Sequence, residues 1–179
     1  MIYDITKTIE EKTSQFTIRK VRFEDMETLC DIHKRCRKEN FKGIVDQEYL
    51  DHFGRNPKIR WSFIVGKKDT EYCLFVYETW GKIVGFIEGG SSNKEDFDFE
   101  VYGFYVDPQK QKGGIGNRLF DYFTNYQNVQ GRRNFYLRTF KDNIAWVNFY
   151  KKFGGKVTEE KKRRLGNREY DLVCSTRKK

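Results

Sequence analysis

Six residues past the middle of the chain, Gln111-Lys112-Gly113-Gly114-Ile115-Gly116, have the types and spacing to hold an anion. They follow an apolar run, Val101 to Val106, and an Asp107-Pro108 turn, and they lead into a helical pattern. The first N–H groups of such a helix have no intrahelical partner. Together with the positive end of the helix dipole they form a site suited to a pyrophosphate. Gly113, Gly114 and Gly116 carry no side chains to hold a ligand away from those amides, and Lys112 adds a cation. Glycines alone would also make a tight strand-to-helix turn, so the loop by itself leaves both readings open. Two other phosphate loops are excluded. Walker A requires Gly-Lys-Ser or Gly-Lys-Thr, and neither occurs in the chain. The dinucleotide fingerprint requires a third glycine, but Gly114-Ile115-Gly116 is followed at that place by Leu119.

The elements that must position this loop are legible as patterns. Phe16-Thr17-Ile18-Arg19 alternates apolar and polar residues and predicts a strand. Met26, Leu29, Cys30, Ile32, His33 and Cys36 recur at spacings of three and four, predicting a helix to about residue 37. A second short helix is expected over Asp46 to Phe53, ended by Asn56-Pro57. Tyr72 to Glu78 and Lys82 to Gly90 read as a hairpin around Thr79-Trp80-Gly81, and Phe97 to Val106 as a further strand. Ile115, Leu119, Tyr122, Phe123 and Tyr126 mark a helix to about residue 128. A strand over Asn134 to Phe140 and a helix over Asn143 to Phe153, closed by Gly154-Gly155, come next. Lys156 to Arg163 and Arg168 to Cys174 form a last hairpin around Leu165-Gly166-Asn167. Residues 1–15 lack periodicity and read as an N-terminal extension to one domain over 16–179. The order β-α-α-β-β-β-α-β-α-β-β implies an α/β (α+β) fold with a mixed, mainly antiparallel central sheet.

With these residues in view, the chain resembles the GCN5-related N-acetyltransferases (GNAT). Gln111-Lys112-Gly113-Gly114-Ile115-Gly116 fits that family's acetyl-CoA loop, Q/R-x-x-G-x-G/A, in full. Tyr105-Val106-Asp107-Pro108 matches the end of the family's fourth strand, and Lys82-Ile83-Val84-Gly85-Phe86-Ile87 resembles its third. The stretch from Phe41 to Leu50 is similar to the second-helix region of many bacterial members. Asn143 to Gly154 resembles its N-x-x-A-x-x-F-Y-x-x-x-G-F region. The Asn–Ala spacing there departs by one, and Gly155 stands where a second aromatic is common. The resemblance covers about residues 16–175 and implies helices on both faces of the sheet, with strands four and five splayed at a cofactor cleft.

It also implies roles. Acetyl-CoA is the cosubstrate, and its acetyl group passes directly to a primary amine in a ternary complex. Amides from Lys112 to Gly116 would hold the pyrophosphate, with Gln111, Lys112, Gly113, Gly114, Ile115 and Gly116 all part of that site. The Val106 N–H, with Tyr105 nearby, would stabilise charge on the thioester carbonyl. Asn143 would reach the cofactor arm. Tyr150, seven residues on, would protonate the departing thiolate; the same tyrosine would also suit a core position beside Val147 and Phe153. Glu100 would be the base. Strand alternation is expected to place it on one face with Tyr102, Phe104 and Val106. Asp96 and Asp98 share its parity, so these carboxylates would equally bind a cationic substrate or end a solvated strand.

Composition bounds the remaining classes. The chain has 179 residues, the length of one domain, with 37% apolar and 34% charged residues. No apolar run approaches the roughly 20 residues of a membrane-spanning helix. The first residues lack the basic flank and apolar stretch of a secretory signal. Cys30, Cys36, Cys73 and Cys174 are scattered without a C-x-x-C, and no metal site is expected. His33 and His52 read as ordinary surface. A cytoplasmic protein is predicted. The net charge of +9 raises a rival, a basic nucleic-acid-binding or non-catalytic CoA-binding module. However, residues 151–179 hold 11 Lys and Arg against 4 acids, while residues 1–150 hold 24 against 22. The basicity belongs to the last hairpin, where Lys161-Lys162-Arg163-Arg164 reads as a solvated tip or a contact for an acidic peptide, nucleic acid or CoA phosphate. The expected partner is an amine-bearing small molecule or peptide, with a homodimer left open and nucleic acid a supplement to the enzyme at most.

Overall fold

The computed structural model describes residues 11–13, 16–52, 61, 65 and 72–177. Eight strands form one sheet: β1 (Glu11–Thr13), β2 (Phe16–Lys20), β3 (Tyr72–Thr79), β4 (Lys82–Ser91), β5 (Phe99–Val106), β6 (Phe135–Phe140), β7 (Lys156–Leu165) and β8 (Arg168–Arg177). The helices are α1 (Met26–Asn40), α2 (Gln47–His52), α3 (Ile115–Val129) and α4 (Ile144–Lys152). Strand order is β1-β2-β3-β4-β5-β6-β8-β7, and every neighbouring pair is antiparallel except β5 with β6. No helix among the described residues is long and apolar enough to cross a membrane.

The sheet is covered on both faces, which explains why β3 is apolar along its length rather than alternating. Cys73, Phe75 and Tyr77 face a core built with Leu119, Phe120 and Phe123 of α3. Leu74 and Val76 face the other, built with Met26, Leu29, Ile32 and Cys36 of α1 and with Trp61 and Phe86. Burying a Phe or Leu of this kind stabilises by about 1.5–3 kcal/mol. On the α1 side, Arg19 of β2 grips Asp25 through both terminal nitrogens, at 2.7 and 3.0 Å, and Glu78 of β3 through Nε at 2.9 Å. Burial pushes the Asp25 carboxyl up, but the Arg19 bonds outweigh it and hold Asp25 below its ordinary value.

Glu11–Thr13 pairs antiparallel with β2 at the sheet edge; a three-residue edge strand pairs by backbone alone and leaves no apolar period. Two expectations change. Lys161–Arg164 lies within β7, not at the tip, which is formed by Gly166 and Asn167. His33 is half-buried, its ring edge-on to Trp61 at 5.7 Å and to Tyr105 at 4.8 Å, and is not ordinary surface. The His52 side chain and the Asn56-Pro57 break lie outside the described residues.

Candidate active site

The site is made where β5 and β6 part. Their parallel pairing runs only from Phe99 opposite Phe135 to Val101 opposite Leu137. At that point β5 carries a β-bulge: Val101 faces Gly89 and Gly103 faces Glu88, leaving Tyr102 without a partner on β4. The extra residue bends a strand and raises its local twist, which suits a strand leaving its neighbour. The gap becomes a cleft of about 80 Å³, lined by Tyr102, Tyr105, Arg138, Asn143, Trp146 and Tyr150 among others. A larger groove of about 490 Å³ lies away from it, beside Lys94, Lys156 and Glu159. Of the residues singled out for chemistry only Asp96 lines that groove, whereas Tyr105, Asn143 and Tyr150 line the smaller cleft, which is therefore the candidate site.

Backbone register aims Val106 at the opening. Asp107 N–H donates to the Val84 carbonyl at 2.8 Å across the Gly85–Val106 pair. That pair is therefore of the non-hydrogen-bonded kind, and the N–H and C=O of Val106 point away from β4. Its carbonyl accepts from Gln111 Nε2 at 3.0 Å and from Cys36 Sγ at 3.2 Å. Burial first, then the Asp107 charge, push the Cys36 thiol up to about 12, so it stays protonated as a donor. Arg35 pairs with Asp107 at 2.7 Å, and Asp107 caps the turn at Pro108–Lys110 by accepting from Gln109 N–H. The strand end is thus tied both to α1 and to the loop.

The loop divides its glycines between two tasks. Gly114 precedes α3 with φ +79°, and Lys112 also has positive φ, +66°, so the chain turns back on itself before the helix. Arg118 N–H is bonded to the Gly114 carbonyl, leaving the earlier amides of α3 at its exposed end. Gly116 faces the core: a Cβ there would meet Phe149 at 3.4 Å and Phe104 at 3.6 Å, ordinary contact distances.

Tyr150 enters from α4, 7% exposed, packed on Phe120, Trp146 and Phe149. Burial, and then Tyr105, push its hydroxyl well above the ordinary value near 10, so it is protonated throughout the physiological range. The end of α4 fixes its backbone. Gly155 N–H bonds the Tyr150 carbonyl at 3.0 Å and Gly154 N–H the Lys151 carbonyl, a Schellman turn. A Cβ at Gly155 would stand 2.8 Å from the Tyr150 carbonyl, which accounts for glycine where an aromatic was expected. Asn143 stands just before α4, its carbonyl accepting from Trp146 and Val147 N–H, and is buried at the cleft wall.

Glu100 does not share a face with Phe104 and Val106. The Tyr102 bulge reverses parity, so Phe99, Val101, Phe104 and Val106 join the α3-side core while Glu100 lies on the α1 side. Its Oε1 accepts from Arg138 Nη2 at 2.8 Å, and Arg138, not Glu100, lines the cleft. Sequence reasoning missed Arg138, Cys36 and Trp146, together with Glu88 of β4, a 2%-exposed carboxylate on the α1 side. A lone acid in the apolar run of β4 was the signal for the last.

Residues 26–155 match the family model described as the acetyltransferase (GNAT) family. The chain belongs to that family. Its β5 is the family's fourth strand, counted after the additional edge strand β1. An uncharacterised N-acetyltransferase of Methanocaldococcus jannaschii is 29% identical over 157 residues. The match covers 86% of this chain, which spans only 63% of that protein's length. PaiA N-acetyltransferase from Thermoplasma acidophilum, solved with coenzyme A, superposes with a TM-score of 0.69 at 22% identity over 88% of this chain and 97% of that one. The ribosomal-protein-S18-alanine N-acetyltransferase of Escherichia coli gives 0.69 at 16% identity over 90% and 92%. At these identities the two structures speak for the fold alone.

Proposed function

We propose that this GNAT protein is an acetyl-CoA-dependent N-acetyltransferase that moves an acetyl group directly to a primary amine on a small molecule or peptide. The observation that carries the reading is the Val106 N–H, turned away from β4 at an anchored strand end, on the side where β6 has parted and beside a cleft walled by Tyr150. The exposed amides at the start of α3 fit a pyrophosphate, and Gly114 supplies the left-handed turn that presents them. Asn143 and Tyr105 line the cleft.

Acetyl-CoA supplies an activated thioester carbonyl. Val106 N–H is oriented to stabilise the negative charge which that carbonyl gains under attack; one such donor is worth about 3–4 kcal/mol. Tyr150, held neutral by burial, gives its proton to the departing sulfur and recovers one from the newly acylated nitrogen. Glu100 holds the Arg138 guanidinium at the cleft wall rather than taking the amine's proton, because Arg138, not Glu100, lines the cleft. The acetyltransferase domain starts at the β1–β2 hairpin. A cytoplasmic location suits its four free thiols.

The test is a screen of primary amines, from polyamines to peptide N-termini, that detects released CoA thiol, with acetyl-CoA binding followed by thermal shift. Binding in about the micromolar-to-millimolar range and amine-dependent thiol release are expected. No thermal shift at millimolar acetyl-CoA would exclude the reading. Salt-dependent oligonucleotide binding without thiol release would favour the nucleic-acid alternative.

A further inference from the structure

We propose that Glu88 accepts the proton the amine sheds before attack, reached from the cleft through the gap that Gly103 leaves in its wall. This rests on the acetyltransferase reading of the cleft. Glu88 sits on β4 directly opposite Gly103, on the α1 side of the sheet. Its Oε2 accepts from the Trp61 indole N–H at 3.0 Å and from the Tyr72 hydroxyl. Its Oε1 lies against Gly103, where any Cβ would collide with it and would stand 2.9 Å from Tyr105 Cε2. Gly103 lines the cleft and places no side chain between the carboxylate and the opening. Glu100 is the contrasting case, behind the Arg138 guanidinium.

A carboxylate placed beside a reaction cleft can act as a general base, directly or through one water. The Trp61 indole and the Tyr72 hydroxyl, both neutral donors, fix the Oε2 of Glu88. The chemistry balances as follows. R–NH3+ passes one proton, through water at Gly103, to the Glu88 carboxylate, giving R–NH2 and a carboxylic acid. The nitrogen lone pair forms the new C–N bond, the C–S bond breaks with its electron pair on sulfur, and Tyr150 protonates that sulfur. The second nitrogen proton returns to Tyr150, and Glu88 later releases its proton to solvent.

Among the described residues, the titratable groups around Glu88 are Tyr72 from β3 and Tyr102, Tyr105 and Glu100 from β5. To these are added His33 from α1, behind Trp61, and Arg138 from β6. Tyr102 is pushed up by burial first, then by Glu100 and, least, by Glu88. Its ring stacks on Tyr72 at 5.7 Å, so Glu88 also steadies the bulge.

The experiment compares two probe amines of nearly the same shape, ethylamine and 2,2,2-trifluoroethylamine, at neutral pH with saturating acetyl-CoA. Ethylamine arrives protonated and needs the base, whereas the fluorinated amine arrives neutral. Glu88→Gln should slow thiol release about 100-fold or more with ethylamine, yet stay within about threefold of wild type with trifluoroethylamine. Gly103→Ala, which displaces the carboxylate while keeping it, should give the same asymmetry and guards against a Glu88 variant that folds poorly. Equal slowing of both amines, or no slowing, overturns the role of Glu88 and leaves the acetyltransferase reading standing. A wild type that binds no acetyl-CoA and turns over neither amine overturns both.

Discussion

The two halves of β5 share a strand and a core but not a purpose. From Phe99 to Val101 the strand is paired on both sides, and its side chains are buried. From Gly103 to Val106 it keeps β4 and has left β6, so one edge of its backbone is released into a cleft. One unpaired residue, Tyr102, separates the two regimes. The proposed function lies where a sheet withholds a hydrogen-bonding partner, and buried packing lies three residues away, where it does not.

Substitutions can break that contrast. Phe99→Ala in the paired half should cost about 3–5 kcal/mol in stability, read by denaturant unfolding, because Phe99 is fully buried against Phe123 and Phe135. Acetyl-CoA affinity of the folded fraction should not change. Beside the open half the pattern inverts. Tyr150→Phe should lower kcat about 100-fold, close to 2.7 kcal/mol, with a nearly unchanged melting temperature. Because burial holds the Tyr150 hydroxyl above 10, wild-type kcat should show no loss from its ionisation up to that pH.

Smaller effects sharpen the contrast. Gly114→Ala forces a Cβ into φ +79° and should cost about 1–2 kcal/mol of loop strain, read as weaker acetyl-CoA binding by calorimetry. Cys36→Ala removes one donor to the Val106 carbonyl, worth about 1 kcal/mol. The folded state keeps the Cys36 proton up to about 12, whereas an unfolded thiol releases its own near 9. The stability this gives is full below pH 9 and declines as pH rises towards 12. The variant should therefore show a shallower alkaline loss of stability than wild type.

Much of this was legible beforehand, for identifiable reasons. Helical spacing in α1 and α3 reports burial on one face, and the glycines of residues 113–116 report a left-handed turn and a close helix contact. Both are local properties. The Tyr102 bulge is not local: it depends on where Glu88 and Gly89 fall on the neighbouring strand, so alternation counted along β5 put Glu100 on the wrong face. His33 was misread for the same reason, since its ring partners, Trp61 and Tyr105, come from distant segments. Glu88 and Gly103 acquire meaning only as a cross-strand pair.

The most direct test of the divided strand is an amide chemical-shift map of the 15N-labelled protein titrated with acetyl-CoA. The largest perturbations should fall on Val106 and on Ile115 to Asn117, with Phe99 to Val101 nearly silent. Perturbations centred on the groove beside Lys94 and Glu159, with Val106 unmoved, would contradict the account.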